Sequence, residues 1–180
     1  GTAYVVTPPS GAGPGVLLLH SWWGLTPFFR DVADRLADAG FVALAPDLFG
    51  GRTAERPDEA EALQASTDPN ETAALVLSSA GALARLPAVT GPDLGVLGFS
   101  MGGSWALWAA ARLPQHVAAV ATFYGTTDVD PEPARAAVIA HLAELDELVD
   151  EDEAVRMEAE LRLLQREVEV HHYPGTGHWF

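Results

Sequence analysis

The stretch Leu94–Gly102 reads LGVLGFSMG, an apolar run that leads into a serine between two glycines. Such a run is typical of a buried strand, and residues 104–113 are compatible with a helix. A serine at a tight strand-to-helix turn matches the G-x-S-x-G pattern of nucleophiles, because small neighbours let other chain segments pass close by. We expect the hydroxyl of Ser100 to project above a sheet edge, beside the first N–H groups of the helix. The stretch therefore predicts a serine nucleophile.

Apolar runs and segments of helical periodicity alternate along the rest of the chain. Strands are predicted at residues 4–7, 16–19, 41–45, 94–97, 117–123, 136–142 and 168–172. Helices are predicted after Thr26, after Asp68, and at residues 104–113 and 151–164, whereas residues 49–67 are predicted to be a long polar loop. This alternation predicts an α/β fold with a mostly parallel sheet and helices on both faces. We expect a single domain over residues 1–180, with no separate cap domain.

Composition narrows the classes of partner. The chain has 10 Lys and Arg against 25 Asp and Glu, and this net charge of −15 argues against nucleic acid or an anionic membrane as a partner. No apolar window reaches the ~18 residues of a transmembrane helix, so we expect a soluble, cytoplasmic monomer. Cysteine is absent, which excludes disulfides, thiolate metal sites and a cysteine nucleophile. The chain begins at Gly1 without Met and stops at Phe180, and we expect native residues to be missing there.

A serine hydroxyl needs a base within hydrogen-bond reach and a third group that orients the base. His178 lies in a loop directly after the last predicted strand, where the chain order serine, acid, histidine would place the base. The acid should follow a strand between Ser100 and His178, and Asp146 fits this position best. The open alternatives are Asp128, Asp130, Glu144 and Asp150.

The other histidines are weaker candidates for the site. His171 and His172 are adjacent on a strand and face opposite sides, so they are predicted to pack or lie on the surface and not to bind one metal together. His116 and His141 have no supporting context. No metal site is predicted.

A serine that attacks the carbonyl carbon of an ester also needs N–H donors, because the carbonyl oxygen becomes negatively charged. One donor is predicted at the backbone of Met101, and the other at Trp22, in the loop after the second strand. His20, Ser21 and Trp23 are candidates for the substrate pocket. His20 is equally compatible with a structural role, and the two tryptophans with ordinary core packing.

Together these residues resemble the dienelactone hydrolase family of α/β-hydrolases. The matching segments are His20–Leu25, Ala45–Leu48, Gly98–Gly103, Leu145–Val149 and Gly175–His178. The resemblance implies the α/β-hydrolase fold and a catalytic triad of Ser100, Asp146 and His178. It also implies backbone donors at Trp22 and Met101 and no cofactor.

The chain departs from the family's archetype in three places. The archetype has a cysteine nucleophile where this chain has Ser100. It has a glutamate that interacts with the nucleophile, where this chain has Ser21. It also binds the carboxylate of its substrate through arginines; Arg52 and Arg56 are candidates for such a cation, but neither aligns with an archetypal arginine.

These features favour a serine hydrolase acting on small carboxylic esters or lactones rather than on dienelactone itself. One alternative is a cofactor-free perhydrolase or haloperoxidase-like enzyme, because the Gly-Phe-Ser-Met-Gly segment also resembles those enzymes. Another is a binding module that keeps the fold without turnover.

Overall fold

The computed structural model describes all residues, Gly1–Phe180. Its strands are β1 (Ala3–Val6), β2 (Gly13–Leu19), β3 (Val42–Pro46), β4 (Val89–Phe99), β5 (Val117–Phe123), β6 (Ala137–Ala143) and β7 (Val168–Tyr173). Its helices are α1 (Pro27–Asp38), α2 (Pro57–Ala65), α3 (Pro69–Ala84), α4 (Met101–Arg112) and α5 (Glu151–Leu163). None of these helices is both long enough and apolar enough to cross a membrane.

Helix α2 corrects the prediction of an unbroken loop over residues 49–67. Pro57 occupies the first turn of the helix, and Asp58 and Glu59 follow it, as is favourable at the positive end of a helix dipole. Ala60 is its one buried residue. Because the helix buries so little, it lacks the apolar stripe from which a helix is recognised in a sequence.

The chain forms two compact units, Gly1–Gly95 and Val96–Phe180, and β4 runs through the junction. In the first unit, β1 pairs antiparallel with β3, and β2 pairs parallel with β3. Leu17, Leu18 and Leu19 of β2 have no exposed surface, as expected for a strand covered on both faces. The single domain over residues 1–180 stays a prediction.

In the second unit, β5, β6 and β7 pair parallel in that order. Three of these four strand pairs are parallel, and only the pair of β1 with β3 is antiparallel, which agrees with the predicted mostly parallel sheet. The register places Phe123 beside His141, and His141 beside His171. These rings stack, with centroids 4.3 Å apart for the first pair and 5.3 Å for the second, and Phe99 stacks on Phe123 at 4.9 Å. We call Phe99, Phe123, His141 and His171 the ring ladder.

The imidazole of His20 joins the end of β2 to the segment after β3. Its Nε2 accepts a hydrogen bond from the N–H of Leu48 at 3.0 Å, so in the neutral ring Nδ1 carries the proton and donates to the carbonyl of Ser21 at 2.7 Å. The rings of Phe29 and Phe49 pack against it. His20 is fully buried, and this burial lowers its pKa to about 4. Both ring nitrogens of His20 therefore form hydrogen bonds with the backbone.

The turn at Ser100 connects β4 to α4 through left-handed backbone, with φ 53° and ψ −121°. The N–H of Ser100 donates to the carbonyl of Phe123 at 2.8 Å. The carbonyl of Ser100 accepts from Gly103 at 2.7 Å and from Ser104 at 3.1 Å. A Cβ on Gly98 would collide with the backbone of Gly102. The turn therefore requires glycine two residues before the serine.

We expect His20 to make the stability of the protein depend on pH. Its pKa is about 4 in the folded protein and about 6.5 in the unfolded chain, so the unfolded state binds more protons between these values. The contribution to the free energy of unfolding is fully present above pH 6.5 and is lost as the pH falls towards 4, by up to about 3 kcal/mol. Urea unfolding of the wild type and of His20→Gln across this range measures the effect. The difference between the two proteins should shrink with falling pH, and a constant difference would contradict the prediction.

We expect Gly98→Ala to lower the free energy of unfolding by about 1–3 kcal/mol, because the methyl group has no space beside Gly102. Gly95→Ala is the matched control on the same strand. Its Cβ would meet only ordinary contacts, at 3.5 Å from Val16 Cγ2 and 4.0 Å from the carbonyl of Gly15, so we expect a loss below about 1 kcal/mol. Denaturant unfolding measures both variants. Equal losses would show that the close approach at Gly98 is not the cause.

Candidate active site

Three side chains from separate segments of the second unit form a hydrogen-bonded chain. Ser100 Oγ lies 2.7 Å from His178 Nε2. On the other side of the imidazole, Nδ1 lies 2.8 Å from each carboxylate oxygen of Asp146. With the proton on Nδ1, the ring donates to Asp146, and Nε2 is available to accept the hydroxyl proton of Ser100. The structure thus brings together the three residues predicted as a triad.

Asp146 is fixed by the loop that follows β6. Its Oδ1 accepts hydrogen bonds from the N–H groups of Leu148 at 2.9 Å and Val149 at 3.0 Å. The side chains of Asp146 and His178 are only 7% and 4% exposed, so the hydrogen bond between them is shielded from water. A carboxylate held in this way can orient an imidazole and stabilise it when it becomes charged.

The alternative acids bind elsewhere. Asp130 accepts from the N–H of Glu132, and Asp150 accepts from Asp152 as the N-cap of α5. The carboxylate of Glu144 accepts from the N–H of Gly175 at 2.7 Å, and Asp128 is exposed. Among the predicted acids, Asp146 is the one that contacts His178.

The loop that carries His178 is joined to the loop that carries Asp146. The N–H of Leu145 donates to the carbonyl of Thr176 at 2.9 Å, and the hydroxyl of Thr176 donates to the carbonyl of Tyr173 at 2.8 Å. The His178 ring also packs against Tyr124, with centroids 4.8 Å apart, and against Trp179 at 4.4 Å. Backbone and aromatic contacts therefore hold the imidazole in addition to its own two hydrogen bonds.

The predicted backbone donors and pocket residues belong to two turns. Met101 is the first residue of α4, where a backbone N–H has no acceptor within the helix. In the first unit, Trp22 and Trp23 pack edge to face at 5.6 Å, and the turn is closed by the N–H of Gly24, which donates to the carbonyl of Ser21 at 3.1 Å. The roles of Trp22 and Met101 as oxyanion donors stay predictions, as do the pocket roles of His20, Ser21 and Trp23.

The two arginines that are candidates for binding a substrate carboxylate, Arg52 and Arg56, contact residues between positions 49 and 66. Arg52 donates from Nε to the carbonyl of Phe49 and from a terminal nitrogen to the hydroxyl of Ser66. Arg56 forms an exposed ion pair with Asp58 at 2.8 Å and lies 3.4 Å from Glu59. A contact of either arginine with a substrate stays a prediction.

Sequence reasoning missed two aromatic residues of the second unit, His141 and Tyr124. His141 had no visible role, yet it lies between Phe123 and His171 in the ring ladder, and its Nδ1 lies 2.7 Å from the hydroxyl of Tyr173. Tyr124, which contacts His178, is not among the predicted site residues. The available signal was the position of aromatic residues at the carboxyl ends of consecutive predicted strands. The adjacent pair His171 and His172 lies on β7, where His171 pairs with Glu169 at 2.8 Å.

Comparison with known proteins gives a consistent assignment. The model of the dienelactone hydrolase family matches residues 2–180. The chain is 34% identical to "Protein usf" of Aquifex pyrophilus, over 98% of this chain and 80% of that protein. It is 30% identical to a carboxymethylenebutenolidase of Rhodococcus opacus, over 95% of this chain and 71% of that protein.

Among solved structures, a dienelactone hydrolase-like promiscuous phosphotriesterase from metagenomic libraries has a TM-score of 0.83 and 23% identity. The match covers 99% of this chain and 84% of that chain, and it shows the α/β-hydrolase fold. Because the family model extends over almost every residue, the chain belongs to the dienelactone hydrolase family.

Proposed function

We propose that this protein is a serine hydrolase that cleaves small carboxylic esters or lactones through an acyl-enzyme on Ser100. The observation that carries the proposal is the hydrogen-bonded chain from Ser100 through His178 to Asp146, with all its heavy-atom distances at 2.7–2.8 Å. Membership of a hydrolase family and the similarity to a carboxymethylenebutenolidase support the same class of reaction.

In the first step, Ser100 Oγ attacks the carbonyl carbon while its proton passes to His178 Nε2. The hydrogen bond of 2.7 Å already joins the two atoms, so the transfer needs no rearrangement. The imidazole becomes a cation, which donates a hydrogen bond from Nδ1 to the ionised, buried carboxylate of Asp146 and is stabilised by its charge. When the tetrahedral intermediate collapses, the bond between its central carbon and the oxygen of the leaving group breaks. The proton on Nε2 passes to that oxygen, which leaves as an alcohol. For a lactone, the alcohol stays attached to the acyl group.

In the second step, water replaces the alcohol. His178 accepts a proton from the water, the resulting hydroxide attacks the acyl carbon, and Ser100 Oγ leaves with the proton returned from Nε2. The products are a carboxylic acid and the free enzyme.

The oxygen that becomes negatively charged in both steps requires N–H donors. We assign this role to the backbone of Met101, at the start of α4, and to the backbone of Trp22, which the family resemblance implies. One such donor lowers the barrier by about 3 kcal/mol, and the dipole of α4 adds to this stabilisation.

The substrate class follows from charge. With a net charge of −15, the protein disfavours the approach of anionic substrates, and Arg56 is already paired with acidic neighbours. A neutral ester or lactone is therefore the better substrate, and neither nucleic acid nor membrane is required as a partner. No cofactor takes part in the proposed steps.

We expect Ser100→Ala to lower kcat for a short p-nitrophenyl ester by about 10⁴-fold or more, because the acyl-enzyme cannot form. Asp146→Asn should lower kcat by a similar factor, because the amide favours the wrong tautomer of His178. A fluorophosphonate should add once to the wild type, at Ser100, as read by intact mass and peptide mapping.

Ser78→Ala, which removes an exposed hydroxyl from α3, is the matched control and should keep both activity and labelling. Ester turnover that survives Ser100→Ala would remove Ser100 as the nucleophile. A wild type that neither reacts with the fluorophosphonate nor hydrolyses esters would favour a binding module. Peroxide-dependent turnover that greatly exceeds hydrolysis would favour the perhydrolase alternative.

A further inference from the structure

The hydrogen bonds of His178 leave one motion of its ring unrestrained. The atoms Nδ1 and Nε2 both lie in the plane of the imidazole, and they bond to Asp146 and Ser100 on opposite sides. Rotation of the ring about the line through these contacts changes its tilt while both distances stay nearly constant. The bond to Cβ limits this rotation, and a group packed against the ring limits it further.

Tyr124 supplies such a group. Its ring lies against that of His178, with centroids 4.8 Å apart and planes at 51°. It also packs edge to face against Trp179 at 5.6 Å and against Phe180 at 5.4 Å, the two residues that follow His178. Tyr124 is only 6% exposed, whereas Trp179 and Phe180 are 43% and 38% exposed, so Tyr124 is the buried member of this aromatic cluster.

The backbone of Tyr124 is held in an unusual conformation. Its φ is 42°, which side chains with a Cβ rarely adopt and which persists only where the surroundings enforce it. The N–H of Tyr124 donates to the carbonyl of His141 at 2.7 Å. A Cβ on the next residue, Gly125, would lie 2.7 Å from the carbonyl oxygen of Ser100, so the chain turns directly beside the nucleophile. The backbone that carries the ring is therefore held at Tyr124 by the hydrogen bond to His141 and at Gly125 by the close approach to Ser100.

Resting on the proposed function, we propose that Tyr124 is a positioning residue whose ring holds the imidazole of His178 in the tilt at which it bridges Ser100 and Asp146. The role matters most after acylation, when Ser100 Oγ is bonded to the acyl group and no longer donates to Nε2. Asp146 and the ring of Tyr124 then keep Nε2 directed at the incoming water. Small misplacements of a catalytic group can slow a reaction about 10²-fold, so a modest tilt has a measurable effect.

The ring, not the hydroxyl, carries this role. Burial raises the pKa of Tyr124 to about 12, so the hydroxyl stays protonated at neutral pH and does not act as a base. Tyr124→Phe keeps the ring and removes the hydroxyl, which separates the two contributions.

We expect Tyr124→Leu to lower kcat for a p-nitrophenyl ester by about 10- to 100-fold, with a much smaller change in KM. The loss should lie in deacylation, so a pre-steady-state burst of p-nitrophenol should remain while the steady rate falls. Tyr124→Phe should stay within about twofold of the wild type. Trp108→Leu removes another aromatic ring, which packs on Trp105 and Arg112 in α4, and should leave kcat unchanged.

A measurement that does not depend on activity accompanies the kinetics. The proton between His178 Nδ1 and Asp146 should give a downfield proton NMR signal, identified by its loss in His178→Gln. The signal should persist in Tyr124→Phe and broaden in Tyr124→Leu, because the freed ring samples several tilts. If Tyr124→Leu does not fold, Tyr124→Met fills similar volume with a flexible chain, and the same changes are expected.

A wild-type kcat and an unchanged NMR signal in Tyr124→Leu would overturn the positioning role. So would an equal loss of kcat in Tyr124→Phe, because the hydroxyl would then be responsible. Failure of the proposed function looks different: the wild type itself would lack ester turnover and labelling at Ser100, whatever residue stood at position 124.

Discussion

The left-handed backbone at Ser100 is the constraint on which the geometry of the second unit depends. A φ of 53° is unfavourable for a residue with a Cβ, so the turn persists only because neighbouring backbone holds it. The N–H of Ser100 donates to the carbonyl of Phe123. The carbonyl of Ser100 accepts hydrogen bonds from two N–H groups in the first turn of α4. A Cβ on Gly103 would collide with Thr122, so β5 can approach the turn only where side chains are missing. The backbone conformation of Ser100 and the close packing of β5 against α4 therefore depend on each other.

Parallel strand order then brings Asp146 and His178 to the same region. Since β6 and β7 run in the same direction, the loops that follow them leave from the same edge of the sheet. Asp146 and His178 are 32 positions apart in the sequence, yet their loops share a backbone hydrogen bond and their side chains are in contact. The acid is held by backbone N–H groups of its own loop, and the base is held by the acid and by rings. Asp146 and His178 are therefore both oriented by contacts with neighbouring residues.

Periodicity and motif spacing were sufficient to predict most strands and helices and the three residues of the hydrogen-bonded chain. Helix α2 was missed because Ala60 is its only buried residue, and a helix without an apolar stripe leaves little trace in a sequence. Tyr124 and His141 were missed for another reason. Their contacts depend on the register between β5, β6 and β7, which a single sequence does not specify. His20 could be placed beside a strand end, but its two backbone hydrogen bonds depend on the approach of Leu48, 28 residues away.

The ring ladder has a consequence for how the strands find one another. Strands β5, β6 and β7 are separated by long connections, and parallel pairing between distant segments is slow and open to error. A slip of one residue would turn a ring to the opposite face of the sheet and remove its stacking partners on both sides. All the stacks of Phe123, His141 and His171 form together only in the native register, so they favour that register over one that is shifted by one residue. Residues that take no part in the proposed chemistry thus stabilise the register of the strands whose following loops carry Asp146 and His178.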